Sequence, residues 1–261
     1  MFIVRSRVQG KSLVLRIHPT KVFVPNLMSW LGATQMAVRR GESFCDVGTG
    51  SGLHAILAAK LGARCVFGTD IDEEVLRFAQ ANARLNGVGR ICRFFKGSLV
   101  EPLVDRNIRV DAMIYNAPHF PGRCVDARLP SRLKDSVNGG HDGSGLNARF
   151  LFEAPAALSE NGRIYDPVVG WSKPSEAWRA IRACGYRFHE VARTDIPVWG
   201  RGNHTREKLI ERPGVHDFSY RYPRGRDTAA RILELRIDEL PPVARRKPLP
   251  VRVDFRIGRK D

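Results

Sequence analysis

Phe44-Cys45-Asp46-Val47-Gly48-Thr49-Gly50-Ser51-Gly52 is an apolar strand that runs straight into a glycine-rich turn, with a helix expected over 53–61. Glycine at 48, 50 and 52 lets the backbone turn tightly and lets a ligand approach it without meeting a Cβ. Gly62 is a natural cap for the end of that helix, and a second apolar strand over 65–69 leads into Asp70-Ile71-Asp72. An acid at the tip of the second strand of such a unit accepts hydrogen bonds from both hydroxyls of a ribose, and Asp70 stands at that place. Asp72 has another task. It precedes Glu73-Glu74 and an apolar helical run, the layout of an N-cap with acids in the first turn. The spacing is G-x-G-x-G, not the G-x-G-x-x-G of dinucleotide sites, and Asp46 lies two residues before the first glycine.

Further along, the helix after Asp72 stops at Gly87, and a third strand over 91–95 leads to Lys96-Gly97-Ser98-Leu99. A fourth strand over 110–115 ends in Asn116-Ala117-Pro118-His119-Phe120. Then come Ser136-Val137-Asn138-Gly139-Gly140-His141-Asp142-Gly143, a helical run over 146–158 and a fifth strand over 163–168.

The glycine loop with its acid resembles motif I of the class I S-adenosylmethionine (SAM) dependent methyltransferases. Asn116-Ala117-Pro118-His119 resembles the Asn-Pro-Pro-Tyr motif of members that act on planar amino or amide nitrogens. Residues 136–143 resemble the Gly-Gly-x-Asp-Gly segment of the HemK/PrmC group, which methylates a glutamine amide in release factors. Val22-Phe23-Val24-Pro25 resembles that group's Val-Phe-Ile-Pro. The likeness runs over residues 20–195.

This resemblance implies an α/β fold, a Rossmann-like doubly wound sheet of seven strands, with SAM as cofactor. It implies Gly48, Thr49, Gly50 and Gly52 against the amino-acid part of SAM and Asp46 near its ammonium. Asp70, with Ile71 beside it, is implied at the ribose. Ser98 falls in the turn where many relatives carry an adenine-binding acid. Asn116, Ala117, Pro118 and His119 are the implied catalytic set, with Asn116 also bordering the cofactor. The side-chain oxygen of Asn116 and the carbonyl of Ala117 would each accept one N–H of the acceptor, turning its lone pair toward the methyl carbon. His119 or Phe120 would stack on the flat acceptor group. Two positions depart from the pattern: Ala117 lacks the fixed φ of proline, and His119 stands where tyrosine or phenylalanine is usual. Trp199 completes the expected acceptor-binding residues.

At 261 residues, 43% of them hydrophobic, the chain fits one domain with modest additions. No run approaches the length needed to span a membrane, and the N-terminus lacks a signal-peptide layout. Cysteines at 45, 65, 92, 124 and 184 form no C-x-x-C pair, and the seven histidines show no zinc spacing. That pattern predicts free thiols in a reducing cytoplasm and no metal centre. Among the histidines, only His119 and His141 fall in segments near the expected site; His18, His54 and His189 read as packed or surface residues. A net charge of +16 suits RNA, ribosomal particles or an acidic substrate. Arginines on the solvent face of the helix over 75–84 supply part of that surplus as ordinary surface.

Residues 1–40 are expected to form a hairpin around Gly10-Lys11 and a helix over 26–39. The cofactor-binding core is expected over 41–240, with a sixth strand over 187–193 and a seventh over 232–237 placed antiparallel beside it. Between these two lies a long insertion, 198–228, in which Trp199, Phe218, Tyr220 and Tyr222 interleave with arginines; it would form a lid or substrate platform. Residues 241–261 are a basic extension, proline-rich at first, whose alternation over 251–257 offers an edge strand to the hairpin. Three acceptor classes follow: a translation component (a protein amide or an RNA base), a small specialised metabolite, or none, in a SAM-binding protein without transfer.

Overall fold

The computed structural model describes residues 1–116, 118–122, 125, 127–169, 174–197, 227–236 and 255–258. The chain opens with the expected hairpin, β1 (Phe2–Val8) and β2 (Lys11–Ile17), and α1 (Leu27–Gln35) follows. The central elements are β3 (Ser43–Val47), α2 (Leu53–Leu61), β4 (Cys65–Asp70), α3 (Glu73–Leu85), β5 (Cys92–Lys96), α4 (Glu101–Val104) and β6 (Val110–Tyr115). After them come α5 (Ser131–Asp135), α6 (Gly145–Glu153), β7 (Leu158–Val169), α7 (Pro174–Ala183), β8 (Arg187–Pro197), β9 (Asp227–Arg236) and β10 (Phe255–Gly258).

Seven strands form one sheet in the order β5-β4-β3-β6-β7-β9-β8. β3 pairs in parallel with β4 and β6, and the parallel set extends to β5 and β7. β9 runs antiparallel between β7 and β8, so the expected antiparallel last strand beside the sixth is present. The strand order reverses between β3 and β6, and the crevice beyond the carboxyl ends of the strands at such a switch point is where doubly wound sheets hold ligands. All five residues of β3 are buried, as a parallel strand covered on both faces requires.

Local chemistry sets the helix ends. Asp72 caps α3 by accepting the N–H of Glu74 at 2.8 Å, with Glu73 and Glu74 in the first turn. Gly52 begins α2 with φ +84°, and a Cβ there would meet the Cα and Cβ of Ala79 at 3.3 Å, so a larger residue would push α3 away. The helix expected over 146–158 ends at Glu153: Pro155 has no N–H to continue it, a 3₁₀ turn over Ala154–Ala157 follows, and β7 starts at Leu158. Likewise α1 stops at Gln35, short of the expected 39.

The hairpin is part of the fold's body. Val4, Val8, Leu13, Leu15 and Ile17 share one buried cluster with the apolar side chains of α2. Two asparagines of α3 hold β2 from the side. Asn82 accepts the N–H of Arg16 at 2.8 Å and donates to its carbonyl at 3.1 Å; Asn86 does the same for Val14 at 3.1 and 2.7 Å. On the other edge of the hairpin, β10 pairs antiparallel with β1, matching the end of the alternating stretch over 251–257. The insertion 198–228, apart from the start of β9, and the proline-rich run lie outside the described residues.

Candidate active site

A cavity of about 290 Å³ opens at the switch point. The loop after β3 supplies Gly48, Thr49, Gly50 and Ser51; the ends of β4 and β5 supply Asp70, Ile71 and Ser98; the end of β6 supplies Asn116, Pro118, His119 and Phe120. α1 and α5 close the remaining sides with Ser29 and Arg132. Most residues expected in the site thus meet around one space. Ala117 and Trp199 lie outside the described residues.

Asp70 receives the N–H of Gly50 on one carboxylate oxygen and the N–H of Asp72 on the other, both at 3.1 Å. The acid therefore pins the glycine loop as well as facing the cavity. Burial raises its pKa to about 6, against the lowering effect of these two backbone donors. Ile71 beside it is 59% exposed at the rim.

Asp46 and Gly52 do not line the cavity. Asp46 is buried beneath the loop, where it accepts the hydroxyl of Thr49 at 2.8 Å and the N–H of Ala55 at 3.1 Å. Its second oxygen lies 3.5 Å from Nδ1 of His54. In this geometry Asp46 braces from inside the loop expected to lie against the amino-acid part of SAM, and Gly52 serves helix packing. His54 is packed, as expected: it is buried, and it also borders the cavity and touches the carbonyl of Ser29 at 2.9 Å through Nε2.

Asn116 is the most telling side chain. Its Nδ2 donates to Oγ of Ser29 at 3.0 Å, while its Oδ1 is buried and has no partner among the described residues. His119 is buried too, its Nε2 is also without a partner there, and burial lowers its pKa to about 4. At neutral pH the ring is an uncharged imidazole, free of repulsion toward a cationic ligand. Native interiors leave few buried polar atoms unpaired, so two on neighbouring cavity-lining residues stand out.

The segment 137–143 fixes this motif by backbone contact. Phe120 donates its N–H to the carbonyl of Val137 at 3.0 Å, and Gly139 donates to the carbonyl of Phe120 at 2.8 Å. A Cβ on Gly139 would lie 2.6 Å from the carbonyl oxygen of Pro118, and one on Gly143 would collide with that of His119. The glycines therefore allow two backbones to touch. His141, expected near the site, is exposed and does not line the cavity. Over the mouth, α5 is held to α3 by Arg132, which bonds Asp72 at 2.7 Å and also Glu74.

Sequence reasoning missed Ser29, His54, Tyr115 and Arg132. The capping pair Asn26 and Ser29 was the available signal for the first: Asn26 Oδ1 accepts the N–H of Ser29 and Ser29 Oγ accepts that of Asn26.

A SAM-like ligand fits this set of groups. Loop backbone without Cβ atoms, an acid at the β4 tip and an unpaired acceptor at Asn116 are what its amino-acid end, ribose and methyl acceptor would require.

Residues 24–117 match the family model of ribosomal protein L11 methyltransferase (PrmA). The chain is 27% identical over 190 residues to a protein of Methanocaldococcus jannaschii described as a protein N5-glutamine methyltransferase, spanning 73% of this chain and 93% of that one. It is 34% identical over 157 residues to the release factor glutamine methyltransferase of Moorella thermoacetica, which covers 57% of this chain and only about half, 53%, of that protein. The crystal structure of ribosomal protein L11 methylase from Lactobacillus delbrueckii subsp. bulgaricus superposes with a TM-score of 0.50 at 21% identity, over 84% of this chain and 83% of that one. No helix among the described residues is long and apolar enough to cross a membrane.

Proposed function

We infer from its family match and fold that this chain is a class I SAM-dependent methyltransferase, and we propose that it methylates a planar nitrogen of a translation component, the side-chain amide of a protein glutamine. The observation that carries the choice of nitrogen is the buried, unpartnered Oδ1 of Asn116, a residue that lines the cavity beside the glycine loop. An amide NH₂ offers two donors. One bonds Asn116 Oδ1; the carbonyl of Ala117 is our candidate for the other. The neutral ring of His119, with Phe120, offers a flat surface for the amide plane.

SAM supplies an electrophilic methyl carbon. The chain's own groups do the rest: Asp70 holds a ribose, the backbone at Gly48 to Gly50 admits a close approach, and Asn116 orients the acceptor. Alignment of this kind supplies roughly 7–11 kcal/mol of barrier reduction without a strong base. The free thiols of Cys45, Cys65, Cys92 and Cys184 support a reducing cytoplasm as the compartment.

The test is transfer of tritiated methyl from SAM to purified release factors and, separately, to ribosomal particles, followed by digestion and mass spectrometry. We expect N5-methylglutamine in a protein. Label on neither fraction, with S-adenosylhomocysteine still bound, would overturn the reading. The basic surplus of +16 supports a second reading, an RNA base, and label removed by ribonuclease would decide for it. Asn116→Ala should lower turnover about a hundredfold, the scale of a misplaced reactant, with affinity for S-adenosylhomocysteine nearly unchanged. An equal fall in both would remove Asn116 from acceptor positioning.

A further inference from the structure

Asn116 has two chemically opposite ends, and its role depends on which one faces the acceptor. Ser29 controls that choice. It sits in the first turn of α1, is 3% exposed, and belongs to the part of the chain that precedes the cofactor-binding core. Its hydroxyl has a single proton. That proton is directed at Oδ1 of Asn26, 3.3 Å away, an oxygen that also accepts the N–H of Ser29 at 3.1 Å. The hydroxyl oxygen accepts the N–H of Asn26 at 3.2 Å and Nδ2 of Asn116 at 3.0 Å. With its proton so committed, Ser29 meets Asn116 as an acceptor. The nitrogen end of the amide is drawn toward α1, and the oxygen end of this cavity-lining residue is left buried and without a partner among the described residues.

We propose that Ser29 is a positioning residue that sets the polarity of the Asn116 amide and thereby restricts the acceptor to groups that present an N–H. If Ser29 gave its proton to Asn116 instead, the amide would turn over, and Nδ2 would face the cavity and repel the N–H groups of an amide substrate. His54 holds the arrangement from behind. Its Nε2 touches the carbonyl of Ser29 at 2.9 Å and its Nδ1 lies 3.5 Å from Asp46. Asp46 in turn holds Thr49 of the glycine loop at 2.8 Å. A continuous buried path therefore joins the cofactor loop, through α1, to the group that orients the acceptor. The proposal rests on the methyl-transfer reading for its functional consequence; the orientation itself does not.

Two measurements on the full chain test it. The first is the side-chain amide resonance of Asn116 in the ¹⁵N-labelled protein, assigned by its loss in Asn116→Asp. Ser29→Ala should shift it and speed the exchange of its protons at least about tenfold, and Ser29→Thr should restore both. The second is methyl transfer to release factors. Ser29→Ala should lower kcat about tenfold to a hundredfold with KM for SAM unchanged within about twofold, and Ser29→Thr should recover most of it. Ser29→Cys keeps the shape with a weaker hydrogen bond, and serves if the alanine variant folds poorly. An Asn116 amide signal indifferent to Ser29→Ala and Ser29→Cys, or wild-type kcat in both, would overturn the proposal. If the unaltered protein transfers no methyl, the functional reading fails by itself, and the amide resonance still decides the role of Ser29.

Discussion

Asp70 shows how one carboxylate carries two opposing pH effects. Burial raises its folded pKa to about 6, above the ordinary carboxylate value near 4. Its contribution to the stability of the free protein is therefore complete below about pH 4 and is lost as pH rises through about 6. Ligand binding runs the other way, because only the ionised form is a pure acceptor for ribose hydroxyls. Affinity for S-adenosylhomocysteine should fall up to about tenfold per pH unit below about pH 6. In Asp70→Asn the affinity should be lower and flat with pH. Calorimetric titrations across about pH 5 to 8 check this, and a flat profile in the unaltered protein would remove Asp70 from the ribose contact. Asp70 and Asn116 were legible in the sequence because each stands at the tip of a recognisable strand. The inward turn of Asp46 was not, since it depends on His54 and on the N–H of Ala55 meeting it beneath the loop.

At the scale of elements, the segment 137–143 and the strand-end motif act as one unit. Gly143 has φ +86°, and a Cβ there would collide with the carbonyl oxygen of His119. Gly143→Ala should destabilise the protein by at least about 1–2 kcal/mol, the scale of a left-handed backbone at a residue with a Cβ, plus whatever the collision adds. Urea unfolding measures that, and turnover should fall further than stability because His119 is displaced. Unchanged turnover would separate the two segments functionally. The glycines themselves were visible in the sequence, but their backbone contact with Pro118 and His119 was not, because the two segments meet only after α5 and its flanking turns bring them together. The five-residue α5 escaped notice for a simpler reason: its pattern is too short to show a helical period.

For the molecule as a whole, the buried Arg163 joins the N-terminal part to the sheet. Its guanidinium makes two parallel bonds to Glu42, at 2.8 and 2.6 Å, and donates to the carbonyl of Ala37 at 2.6 Å and to the hydroxyl of Tyr165 at 3.1 Å. Removing one side of such a pair strands the other. Arg163→Ala should cost about 3–5 kcal/mol, and the double variant Arg163→Met with Glu42→Gln should recover part of the loss. Thermal melts of the three proteins check this; a near-neutral Arg163→Ala would show that the N-terminal part docks through its other contacts. Because Ser29 reaches Asn116 from α1, loosening this junction should also depress turnover.

From its letters alone the chain declared the strands and helices of the core, the glycine turn, the caps of α2 and α3, and the acids and amides at the strand tips; the doubly wound sheet came from the resemblance. These depend on local backbone chemistry and on hydrophobic period, both of which are written within a few residues of one another. Only the folded arrangement decided that Asp46 holds Thr49 and the N–H of Ala55 beneath the loop, that the hairpin is stitched to α3 by two asparagines, and that Ser29 meets Asn116. Those outcomes join groups up to 87 residues apart, and burial with hydrogen-bond geometry, which no local pattern encodes, sets them.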